Sequence, residues 1–132
     1  MSIDFSILEG DVSATAHRLE RVLTDLAKDR SVDSVVLSTV DGLVIQAAPA
    51  EAGRLAAVAG FVTAAARQAA VLLSFSQVEQ ITIEMERDNW MVCQLFPVSG
   101  TQLILTVIFT ESVAYKRLLG QVIRELKAEI ED

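Results

Sequence analysis

The sequence predicts one α/β domain in which helices cover both faces of a single sheet. Three observations carry this. Asp41-Gly42 sits between two apolar, β-branched runs within Ser34–Ala48, the strongest short-range signal for a hairpin. Leu103-Ile104-Leu105-Thr106-Val107-Ile108-Phe109 is apolar at nearly every position, so that strand is covered on both faces and belongs mid-sheet. Helical periodicity precedes the hairpin, follows it, and closes the chain. A chain of 132 residues is one domain by length.

Taken in order, residues 1–12 read as an N-terminal arm ahead of a domain spanning 13–132. Asp11 or Ser13 suits the cap of a helix that runs to about Asp29. Its stripe is Leu19, Val22, Leu23 and Leu26. The hairpin comes next. A type I′ turn at Asp41-Gly42 requires positive φ at both residues. Val35, Leu37 and Thr39 share one face, with Val36 and Ser38 on the other. Pro49 opens a second helix that continues to about Phe75, with Glu51 in its first turn. Twelve alanines between Ala47 and Ala70 support the helix.

This helix is apolar all round. Leu55, Val58, Ala59, Val62, Ala66, Ala69 and Leu73 fall on one face, assigned here to the sheet. Ala57, Phe61, Ala64, Gln68, Val71 and Phe75 fall on the opposite face. Arg54 and Arg67 are the only charges between Ala52 and Val78. Either the helix is engulfed by the core, or its second stripe is covered by another polypeptide, with the two arginines at the rim.

Three strands follow. Gln80, Ile81, Thr82, Ile83, Glu84, Met85 and Glu86 alternate, with Ile81, Ile83 and Met85 inward. Arg87-Asp88-Asn89 turns the chain into Trp90–Phe96, and Pro97–Gly100 turns it into the apolar strand. The first strand of this meander falls at a sheet edge. It carries no proline or lysine to block pairing, and a second copy would satisfy its free backbone groups. Ser112 or Thr110 caps a last helix to about Ile130, with the stripe Tyr115, Leu118, Leu119, Val122, Leu126 and Ile130.

Composition narrows the chemistry. The net charge of −7 disfavours nucleic acid and a polybasic membrane anchor. Asn89–Thr110 carries no formal charge, but Pro97–Gly100 breaks it into strand-length halves, so no stable membrane insertion is expected. Asp4 stands where a signal peptide needs bases, and a lone Cys93 fits a reducing compartment. A cytoplasmic protein is expected. Cys93 reads as a core residue. With one histidine, His17, and one cysteine, no metal or cofactor site and no nucleophile–base pair is expected. There is no glycine-rich phosphate loop, so the chain reads as non-enzymatic. A small-ligand sensor would need a pocket, and no polar residue in the predicted core marks one.

The order helix, hairpin, long helix, three strands, helix, opened by Val35-Val36-Leu37-Ser38-Thr39-Val40-Asp41-Gly42-Leu43-Val44-Ile45, resembles the roadblock family. That family includes roadblock-type dynein light chains and bacterial MglB-like proteins. The resemblance covers about Ala14 to Ile130. It implies a three-layer α/β/α sandwich with a five-stranded antiparallel sheet. It implies a homodimer joined through the edge strand and the long helix. It also implies a regulator or adaptor of a small Ras-like GTPase, which in MglB-like members stimulates hydrolysis without an arginine finger. The alternative is a scaffold for motor or signalling proteins that leaves GTP turnover unchanged.

Overall fold

Leucines at helical spacing set the first layer. The computed structural model describes residues 5–111 and 115–131, with side chains from residue 15 onward. Helix α1 spans Phe5–Ala27. It therefore starts ahead of the expected caps at Asp11 and Ser13, because Phe5, Leu8 and Val12 carry the apolar period upstream. Past its end, the Asp29 carboxylate accepts bonds from the Ser31 hydroxyl at 2.7 Å and the Ser31 N–H at 3.0 Å, which turns the chain into the sheet.

Strands β1 (Val32–Thr39) and β2 (Val44–Ala48) form the hairpin, and a 3₁₀ turn over Ala50–Arg54 leads into α2 (Leu55–Leu72). The meander is β3 (Gln80–Glu84), β4 (Trp90–Val98) and β5 (Thr101–Phe109), and α3 (Tyr115–Glu131) closes the chain. The expected cap at Ser112 lies outside the described residues. Thr110 is committed elsewhere: its N–H donates to the Ser31 carbonyl at 2.8 Å.

The five strands run in the order β2-β1-β5-β4-β3, every pair antiparallel. The all-apolar β5 is central, as its composition demands. Across it, Leu37 faces Leu105 and Val92 faces Val107. Helices α1 and α3 cover one face, where Leu19, Leu23, Leu119, Val122 and Leu126 meet Val35, Leu37, Val92, Leu105 and Val107. An Arg18–Glu129 ion pair bridges the two helices. Helix α2 covers the other face, over Val36, Met91, Cys93 and Ile104. The molecule is thus a three-layer α/β/α sandwich.

The turns differ from the sequence expectation. At Asp41-Gly42 only Gly42 has positive φ, at 89°. The Gly42 N–H donates to the Thr39 carbonyl and the Thr39 N–H to the Leu43 carbonyl. This is a three-residue loop with a left-handed glycine, not a type I′ turn. Positive φ at both central residues occurs instead at Ser99-Gly100 and at Arg87-Asp88. Strand β4 runs through Pro97 to Val98, past its expected end. Beyond Gln94 it has no β3 neighbour, so the missing N–H of Pro97 breaks no ladder. Strand β3 stops at Glu84, and Met85 belongs to the connection, where its N–H donates to the Asn89 carbonyl at 2.7 Å.

Candidate docking face

Small residues decide how α2 sits. Ala52, Ala56, Ala59 and Thr63 are buried, spaced four, three and four apart along one narrow line. Next to that line, Gly60 lies over the hairpin: a Cβ there would stand 3.1 Å from the Gly42 backbone nitrogen and Cα. A Cβ on Gly42 would in turn stand 3.2 Å from the Ala56 carbonyl oxygen. Helix and turn meet backbone to backbone, and Val58, Phe61, Val71 and Leu72 are left outside.

The stripe assigned to a partner is exposed along its length. Phe61 is 77% exposed, Val71 75% and Phe75 67%. Ala57, Ala64 and Gln68 lie open between them, and Arg54 and Arg67 stand exposed beside them. The face assigned to the sheet is partly corrected. Ala59 is buried and Leu55, Val62 and Ala66 half-buried, but Val58, Ala69 and Leu73 point outward. Leu72, which no stripe included, is 80% exposed. The reason is the small-residue line: it rotates the helix so that Ala56 and Thr63, not Val58 and Leu73, meet the sheet. The segment Ala50–Leu72 is long and apolar enough by composition to cross a membrane, with mean hydropathy 1.6. Here it lies along the sheet with 17% of its most apolar stretch buried, which removes the alternative of an engulfed core helix.

The far end of α2 is fixed by its cap. The Phe75 N–H donates to the Ala70 carbonyl and the Ser74 N–H to the Val71 carbonyl, with Ser74 at φ 65°. This is the Schellman arrangement with serine where glycine is usual. It turns the exposed Phe75 out beside the helix.

Strand β3 lies at a sheet edge and, among the described residues, pairs only with β4. Ile81 and Ile83 pack under α2 with Met91, Cys93 and Leu95. Gln80 and Thr82 face the other layer, where the Gln80 amide donates to the Tyr115 hydroxyl at 3.0 Å and to Thr82 Oγ1 at 2.9 Å. The outer backbone groups of Gln80–Glu84 therefore lie open, adjoining the exposed face of α2. Met85, expected in the edge, falls beyond it.

Arg54 and Arg67 form no ion pair among the described residues. Cys93 is buried, receives a bond from the Thr106 hydroxyl at 3.7 Å, and has its thiol pushed above its ordinary pKa by burial. His17 is exposed on α1, 4.0 Å from Glu20.

Residues 18–109 match the Roadblock/LC7 domain family. No curated protein matches the chain in sequence. Among solved structures the chain is similar to the gliding protein MglB of Thermus thermophilus, at 20% identity and TM-score 0.71 over 89% of this chain and 92% of that one. It is similar to Myxococcus xanthus MglB, at 20% identity and TM-score 0.65 over 88% and 86%. It is also similar to a Roadblock/LC7 domain from Streptomyces avermitilis, at 23% identity and TM-score 0.64 over 84% and 92%.

Proposed function

The chain belongs to the Roadblock/LC7 domain family, and from that premise we propose that it is a homodimeric, non-enzymatic cytoplasmic regulator of a small Ras-like GTPase. The observation that carries this is one continuous unpartnered surface, the outer face of α2 joined to the open edge of β3. A second copy pairs with β3 across a two-fold axis and lays its α2 beside the first, because an isologous contact presents the same patch from both sides. The small residues Ala57 and Ala64 permit close approach. The remaining outer surface, with Phe61 as anchor and Arg54 and Arg67 at the rim, receives the GTPase. The MglB structures support this reading by shape, and one of them is described as a tetrameric arrangement of that protein.

The test is affinity capture from native lysate, followed by GTP hydrolysis with whatever is retained. The expected partner is a small GTPase whose hydrolysis rate changes with the wild-type protein and not with Phe61→Glu. A retained partner that binds no nucleotide would favour the scaffold alternative.

A further inference from the structure

A cleft of about 180 Å³ opens beneath the start of α2, where β1 begins and β5 ends. It lies over β1 and β5, with β4 between it and the edge strand β3. Strand register builds its floor. A shift between Val32 and Ser34 leaves Asp33 without a partner on β5 and pairs Ser34 with Ile108. Ile108 packs on the α2 side of the sheet, so Ser34 beside it faces the same side. Ala52 and Leu55 close the cleft from the helix layer, and the exposed Asp33 and Glu51 line it. Apart from Arg54, which borders it, no lining residue belongs to the face assigned to the mate or the GTPase.

Ser34 is 5% exposed. Its hydroxyl makes no hydrogen bond among the described residues, yet it is not one of the oxygens sealed from solvent. An occupant of the cleft can therefore reach it, and a hydroxyl this deep is costly to leave unbonded. Asp33 and Glu51 form no ion pair among the described residues either. Against their two charges stand Arg54 and the start of the helix, the latter worth about half a unit charge, so the cleft stays acidic. The chain around it carries a net charge of −7. Two carboxylates and a hydroxyl thus line one small site. A primary ammonium matches them, with three donors on one compact charge. No group of three His, Cys, Asp or Glu among the described residues could hold a metal ion, so the cation that fits is organic. The volume falls below the roughly 300–1,000 Å³ of sites that enclose free ligands, which leaves room for one side chain.

We propose that this cleft receives a single lysine side chain presented by a protein partner. The ammonium donates to Asp33, Glu51 and Ser34 Oγ, and the methylene stem lies against Leu55 and Ile108. The site belongs to the single chain and is testable without the partner.

N-acetyl-lysine methylamide is the probe, titrated into the isotope-labelled full chain at constant ionic strength and followed by NMR. Saturable shifts are expected at the Ser34 and Ile108 backbone amides and the Leu55 methyls. The norleucine analogue, which keeps the stem and lacks the ammonium, should bind at least about tenfold more weakly. Tetramethylammonium, a cation with no N–H, should give no saturable shifts. Asp33→Asn and Ser34→Ala should each lose about tenfold in affinity while the remaining spectrum stays native, because one is exposed and the other removes an unbonded hydroxyl. Absence of saturable shifts at tens of millimolar probe would overturn the proposal. So would equal shifts with tetramethylammonium, tighter binding by the arginine analogue, or unchanged affinity in either variant.

Discussion

Gly42 and Gly60 hold α2 against the hairpin with no side chain between them. Gly60→Ala improves helix propensity by about 1 kcal/mol, but its methyl meets backbone atoms that cannot swing aside. Overpacking of that kind costs about 1–3 kcal/mol. A net loss of stability in urea unfolding is expected. Ser74 and Asp88 work the other way. Each holds a left-handed φ without being glycine, at about 1 kcal/mol or more of strain. Ser74→Gly and Asp88→Gly should each stabilise the fold by about 1 kcal/mol in the same assay. Cys93 predicts a pH effect. Its folded pKa is raised, so the folded state keeps a proton that the unfolded chain releases. Stability should be unaffected below the ordinary thiol pKa and decline as pH rises above it, and Cys93→Ala should flatten that decline. At this scale the sequence was only half legible. Asp-Gly marked a turn, but the loop length that selects its type depends on how Thr39 and Leu43 pair. Arg87-Asp88-Asn89 was legible as a turn, but the left-handed backbone of Arg87 and Ser74 carries no signature in those residue types.

At the scale of elements, α2 is an apolar helix that its own sheet covers on one narrow line. Phe61→Glu places a charge where water already reaches, so the isolated fold should keep its circular dichroism and melting temperature to within about 0.5 kcal/mol of stability. The same charge at a buried interface is expensive, so binding of the GTPase partner should weaken by at least about tenfold. Unfolding by Phe61→Glu would place the side chain in the core instead. The exposed stripe from Ala57 to Phe75 was legible because nothing on it is charged. The opposite face was misread because large side chains outweigh small ones in any hydrophobic count. The line Ala52, Ala56, Ala59 and Thr63 was the available signal: small residues four, three and four apart mark a helix that approaches closely. Met85 was misplaced for a similar reason, since alternation continues past the point where pairing stops.

Across the whole molecule, the sandwich follows from pattern with little ambiguity. An all-apolar strand needs cover on both faces, two amphipathic helices supply one layer, and the alanine-rich helix supplies the other. The sequence is silent on what covers the outer face of that helix, because a monomer's pattern is the same whether its apolar stripe meets a mate, a GTPase or both. The burial of the Ser38, Thr63 and Gln102 side-chain oxygens, which have no hydrogen-bond partner among the described residues, was invisible for a related reason: isolated hydroxyls and amides in amphipathic elements read as surface until the elements are stacked. The central claim is that β3 and α2 together form a two-fold interface. Light scattering of the purified chain at micromolar concentration tests it most directly. The account predicts twice the 14.3 kDa chain mass for the wild type, and a mass of 14.3 kDa would contradict it.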